Sequence, residues 1–202
     1  MNSLPQYFSC PIELGKIMVE GANEVLGPEI VKIILSANNL GILNHEPVQS
    51  GVIPVGLFDE FQNELISLLG PAGGRGMAVR IGRSTFRYGL RKYGKTTGLS
   101  SLEYRLMPAP QRIRAGLEKM KQVINGEKGK LVEVEELHGR WIWRQWVNEQ
   151  NPDIPTCYLI MGVLQGFLSW VSGGKFYPIN CENDSIKGAS YQIISIDKKP
   201  LD

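Results

Sequence analysis

From Ile12 onward, apolar residues recur every three or four positions: Leu14, Ile17, Met18, Val25 and Leu26, with Lys16, Glu20 and Glu24 between them. That period predicts an amphipathic helix, and Pro11 suits its first turn because its φ is already fixed near the helical value. Gly27-Pro28 interrupts it, Glu29 to Leu35 resumes it, and Asn38-Asn39-Leu40-Gly41 ends it. Residues 44–56 hold two prolines and two glycines and read as a loop. Leu57, Phe61, Leu65 and Leu68 set out a second helix, closed by Gly70-Pro71. A third runs from about Arg75 to Tyr93 and carries two stripes. Arg80, Arg83, Arg87 and Arg91 form one, and the small residues Ala78, Gly82 and Gly89 form the other. Glycine inside a helix costs about 1 kcal/mol against alanine, so these glycines imply a closely packed neighbour. A fourth helix is predicted from Pro108 to about Val123.

The period then shortens to two. Leu131 to Leu137 alternates as a strand, His138-Gly139 permits a tight turn, and Arg140 to Val147 alternates again. On that second strand Trp141 and Trp143 share one face and Ile142 takes the other. Asn151 to Pro155 reads as a loop, and Cys157 to Val171 as a buried helix with Gly162 and Gly166 four apart. Phe176 to Cys181 and Tyr191 to Ile196 are two further strands around a polar turn. Helices, hairpin, helix, hairpin is the order of an α+β fold with an antiparallel sheet.

Composition narrows the class. The chain has 202 residues, 43% hydrophobic and 21% charged, the balance of a globular domain with a sizeable core. Its net charge of +2 conceals a layout: residues 1–74 carry −6, residues 75–130 carry +11 and residues 131–202 carry −3. Seven basic and no acidic side chains lie between Arg75 and Lys95. They can meet phosphates, an acidic partner or a membrane surface, or pair with Glu13, Glu20, Glu60 and Glu64 of the same chain. No nucleic-acid fold signature accompanies the charge, which argues against a nucleic-acid partner. Three scattered cysteines, Cys10, Cys157 and Cys181, do not make a disulfide framework. Met1 to Gly15 lacks the charged-then-apolar layout of a signal peptide. The apolar run Cys157–Val171 is short of the roughly 20 residues that span a bilayer. The expectation is a reduced, cytoplasmic protein, or one peripheral to a membrane.

The second half resembles a known family. Gly139-Arg-Trp-Ile-Trp-Arg, Pro155-Thr-Cys-Tyr, Gly162, Leu164-Gln-Gly-Phe-Leu, Trp170-Val-Ser-Gly-Gly and Lys187-Gly188 look like the 4-vinyl reductase domain, which includes hydrocarbon-binding proteins. The likeness spans about residues 70–197. It implies helices on one face of a small antiparallel sheet, as in the subunits of TRAPP tethering complexes, with an apolar cavity between. It divides the chain into an N-terminal helical extension, 1–70, and a core domain, 71–202. Many such domains hold zinc with three cysteines. Here Cys157 stands at the first position, Asp184 where the second is expected and Gln192 where the third is, with Cys181 near a carboxylate ligand. Cys157, Cys181 and Asp184 are thus the metal candidates, and the incomplete set argues against zinc.

The resemblance implies a non-enzymatic protein that binds an acyl lipid, isoprenoid, aromatic or tetrapyrrole for carriage, sensing or assembly. Trp141, Trp143, Cys157, Leu164, Gly166 and Trp170 are its expected ligand neighbours. The four-spaced glycines either leave a groove or admit another backbone. Arg80, Arg83, Arg87 and Arg91 are the candidate contacts for an anion or acidic partner. Photosystem or chlorophyll-protein assembly, an accessory role in tetrapyrrole vinyl reduction and a homodimer are the other implied settings. No cofactor is assigned with certainty, because no phosphate loop, complete dinucleotide fingerprint or hydrolase motif is present. His45 lies in a loop and His138 at a turn, which leaves no general base.

Overall fold

A computed structural model describes residues 9–43, 51–126, 129–146, 157–186 and 189–201. Residues 44–50 of the loop expected at 44–56, the loop at 151–155, His45 and Lys187-Gly188 lie outside them. The protein is α+β, with helices packed on an antiparallel sheet.

Helix α1 (Ile12–Leu26) buries Ile17, Met18 and Ala22. It ends where Gly27 takes φ +83, a backbone that favours glycine, and α2 (Pro28–Leu35) begins at once with Pro28 in its first turn. A 3-10 turn follows at Asn38–Leu43. The helices expected at 57–68 and 75–93 form one run, α3 (Gly56–Tyr93), kinked at Gly70 (φ 75, ψ 165). Pro71 is tolerated because the kink has already broken the preceding hydrogen bonds, so the proline acts as a first-turn residue. A short α4 (Leu102–Leu106) precedes α5 (Ala109–Asn125).

The main sheet has the order β3-β4-β6-β5, all antiparallel. Its strands are β3 (Val132–Leu137), β4 (Arg140–Trp146), β5 (Ile179–Ile186) and β6 (Ala189–Asp197). Strand β5 starts three residues later than the alternation suggested, and Phe176 instead makes a single bridge to Leu201. Trp141, Trp143 and Gln145 on β4 face Ile196, Ile194 and Gln192 on β6. All but Gln145 of these six are at most 2% exposed, which marks the helix-facing side of the sheet. A second, unanticipated sheet pairs β1 (Ser9–Pro11) with β2 (Val52–Pro54).

Between α3 and the sheet runs α6 (Tyr158–Ser172). It crosses α3 where Gly82 meets Gly162. A Cβ on Gly82 would lie 2.8 Å from the Gly162 Cα and press on the Leu159 carbonyl, and one on Gly162 would press on the Val79 carbonyl. A Cβ on Gly166 would come 3.2 Å from that of Phe86 and 3.3 Å from the Arg83 Cα. The spaced glycines therefore admit the α3 backbone, and no groove remains at this crossing.

Candidate functional site

The central cavity lies where β1, α1, both halves of α3, α5, the β3–β4 hairpin and the start of α6 converge. Its volume is about 170 Å³. Leu14, Ile17 and Met18 on α1, Phe86 and Leu90 on α3, and Met120 and Val123 on α5 supply apolar walls. Three sulfur-bearing side chains, Cys10, Met18 and Met120, are buried there. Burial pushes the Cys10 thiol up to about 12, so it is neutral at ordinary pH. Burial likewise raises the Tyr93 phenol, against the lowering effect of neighbouring Lys92. Lys119, whose ammonium donates to the Thr97 carbonyl, also reaches the wall.

None of Trp141, Trp143, Cys157, Leu164, Gly166 and Trp170 lines this cavity. Trp141 and Trp143 are buried on the inner face of β4 and Leu164 in the core, while Trp170 is 37% exposed. Trp170 stacks on Tyr104 with ring centroids 6.0 Å apart. The next inward residue after Trp143 is Gln145, and it does reach the cavity. The period of two on β4 is the signal that finds it. Met18 follows from the apolar stripe of α1, whereas nothing in the order of residues joins it to Cys10 or Met120.

The arginines of α3 are largely engaged within the protein. Arg83 donates from Nε and Nη2 to Gln165 Oε1 at 3.1 and 2.7 Å. Arg87 pairs with Glu24 at 2.5 Å, and Lys92 pairs with Glu13. Arg91 lies over the Tyr88 ring, and Arg80 donates to the Met77 sulfur. Glu24 holds Ser84 as well, at 2.9 Å. These bonds hold the Glu24 carboxyl below its ordinary range, the Ser84 hydroxyl contributing most.

Among the described residues no three His, Cys, Asp or Glu side chains gather as metal ligands. The Asp184 side chain lies outside the described residues. Cys157 is buried at the start of α6, where its thiol lies 3.7 Å from the Met161 thioether, and Cys181 is partly exposed on β5. Among the described residues no helix is long and apolar enough to cross a membrane.

No protein-family model matches the sequence, and no curated protein matches it. Solved structures do match its fold. A variant of the Tt H-NOX domain superposes with a TM-score of 0.61 at 10% identity, over 95% of this chain and 96% of that one. An oxygen-binding H-NOX domain related to soluble guanylate cyclases, solved as its oxygen complex, gives 0.58 at 10% identity, over 91% and 93%. A structure from work on haem redox potential and porphyrin distortion gives 0.59 at 9% identity, over 93% and 99%.

This likeness corrects the resemblance to 4-vinyl reductase and TRAPP-type domains, because the fold neighbours are H-NOX domains. The lipid-binding, chlorophyll-related, photosystem-assembly and vinyl-reduction roles drawn from it fall with it. So does the cofactor assignment, since structures of this fold include haem and oxygen-bound proteins. The motifs that suggested the family are packing features. Gly162 and Gly166 serve the α3–α6 crossing, Trp141 and Trp143 are buried on the inner face of β4, and Trp170 stacks on Tyr104 at a partly exposed position.

Among the described residues, the cavity wall offers thioether donors and no imidazole. Of the two histidines, His138 is exposed at the β3–β4 turn and His45 lies outside the described residues. The cavity offers the thioethers of Met18 and Met120 instead.

Proposed function

We propose that this chain is a non-catalytic sensory domain whose cavity holds a haem through a thioether ligand. One observation carries the reading: two buried methionines line an apolar cavity in a fold whose solved examples include an oxygen complex. Met18 or Met120 would hold the group through its thioether, and a bound haem would supply the metal at which a diatomic gas attaches. Lys119 provides a cation for a carboxylate at the cavity wall. The volume of about 170 Å³ is below the roughly 300–1,000 Å³ usual for ligand pockets, so a haem would need the cavity walls to move apart. That displacement would give occupancy a change in shape to transmit, since a ligand shifts a protein only toward the state it binds better.

The test is a haemin titration of the full chain followed by visible absorbance. Saturation at one equivalent with a sharp Soret band is expected. Met18→Leu and Met120→Leu nearly conserve volume, so loss of the thioether that holds the group should shift the band and weaken binding by roughly tenfold or more. The reading is overturned if haemin fails to saturate at one equivalent, or if both variants bind it with the wild-type spectrum.

A further inference from the structure

We propose that residues 102–110 are a docking surface for a bilayer rich in anionic lipid. Helix α4 turns Tyr104 inward and Leu102 and Leu106 outward, since helical residues four apart share a face and those two apart do not. Tyr104 is buried, its hydroxyl donates to the Arg112 carbonyl at 2.7 Å, and its ring stacks on Trp170. Ser101 caps the helix by accepting from the Tyr104 amide at 3.2 Å. The segment is thus fastened to the fold from beneath, and its outer face has no packing task. Yet Leu106 and Leu102 are the most exposed large apolar side chains among the described residues, at 75% and 66%. Met107, Pro108 and Pro110 extend the exposed apolar surface along the chain. An apolar face left in water by a well-anchored element marks an interaction site.

Charge names the occupant. Arg105 is exposed beside the two leucines, and the Arg112 guanidinium donates to the Arg105 carbonyl at 3.2 Å, which seats it at the end of α4. Lys95 and Lys175 are exposed in the turns before α4 and after α6. Against these four cations stands Glu103, the one carboxylate between residues 91 and 117. That excess suits anionic headgroups, because each basic side chain near such a surface adds to the attraction. Trp170, stacked on Tyr104 and partly exposed, supplies an indole, which favours the boundary between water and hydrocarbon. Size separates a bilayer from a protein. Five apolar side chains cover far less than the roughly 800 Å² per partner of a standard protein interface. A second copy of this chain would also bring the same positive excess against the patch. A bilayer asks for less, since a few apolar side chains enter it while basic ones stay at the headgroups. None of these residues lines the central cavity, so the bilayer is met from outside, no lipid enters the fold, and the inference does not depend on haem.

The experiment is flotation of the haem-free full chain with vesicles of phosphatidylcholine, alone or with roughly a third phosphatidylserine. Binding to the anionic vesicles is expected, with little to the neutral ones, and it should weaken as salt approaches about 1 M. Leu102→Gln/Leu106→Gln should keep the wild-type circular dichroism, since both side chains are exposed, and lower the partition coefficient by roughly tenfold or more. Lys95→Gln/Arg105→Gln should also weaken binding and leave the remainder less sensitive to salt. Ile33→Gln, at an exposed apolar position on α2, should change nothing. Failure to bind the anionic vesicles, or binding that the leucine variant retains in full, overturns the proposal. A dimer in sedimentation without vesicle binding, lost in the leucine variant, would assign the face to a second copy instead. The haemin titration reads a different site, so either result can fail alone.

Discussion

Gln62 caps a helix to which it does not belong. The first turn of α6 has no side-chain cap of its own, since Cys157 at the N-cap makes no such bond. Gln62, on α3 and 1% exposed, places its Oε1 3.1 Å from the Leu159 amide, which donates to it. That satisfies one of the four amides that every helix leaves unpaired at its start. In Gln62→Leu the amide would face hydrocarbon, and a buried donor left without an acceptor costs about 1–3 kcal/mol. Urea unfolding should show that loss in the midpoint with the slope unchanged. A change below about 0.5 kcal/mol would mean that the amide has another partner. A glutamine among Phe61 and Leu65 in a helical stripe reads from sequence as a polar residue beside the core. Its partner lies 97 positions away, and no local period can reveal that.

Glycine has two opposite meanings within α3, and the elements around each one decide which holds. Gly82 sits against the α6 backbone, whereas a Cβ on Gly76 would meet nothing within 4 Å. Gly76→Ala should therefore stabilise the protein by about 0.5–1 kcal/mol, the usual gain in an exposed helix interior. Gly82→Ala and Gly162→Ala should each destabilise it, at the upper end of the roughly 1–3 kcal/mol of overpacking, because the obstacle is backbone that cannot rotate away. Thermal or urea unfolding of the three variants reads the contrast directly. If Gly82→Ala were as stable as wild type, the helices would not be in contact there. The close approach at Gly82 was legible in the stripe of small residues, but Gly89 of that stripe meets nothing within 4 Å, and which helix approaches was not legible. The same holds for the β1–β2 pair. Each strand has only three residues, and they are held together by pairing across about forty positions, so neither shows a run long enough to read. The long helices and the β3–β4 hairpin were legible because apolar period and turn chemistry are local.

At the scale of the whole molecule, the near-neutral charge becomes a seam between α1 and the second half of α3. Glu13 pairs with Lys92 and Glu24 with Arg87 and Ser84, which joins the acidic N-terminal third to the basic middle. The segmental charge in the sequence anticipated this compensation and named Glu13, but the partner of Arg87 is Glu24, which the helical period alone does not single out. The central cavity was less legible still, since its walls come from most elements of the fold. The seam carries a pH dependence whose sign is fixed. In the folded state the Lys92 ammonium holds Glu13 below its ordinary value of 4.5, and Ser84 and then Arg87 do the same for Glu24. A carboxyl depressed by folding contributes stability above its unfolded pKa and loses it as pH falls through the folded value. Stability should thus hold from neutrality down to about pH 5 and decline below 4.5 as the pairs protonate. Glu60 runs the other way, because burial and then Glu64 raise its pKa and its protonation favours the folded state as pH falls. A Glu13→Gln/Glu24→Gln double variant isolates the seam from that opposing group. Its urea midpoint should fall less than that of wild type between pH 6 and about pH 3.5, and the difference should shrink in about 1 M salt, which shortens electrostatic reach to about 3 Å. Parallel pH profiles for the two proteins would show instead that the α1–α3 contact rests on apolar packing alone.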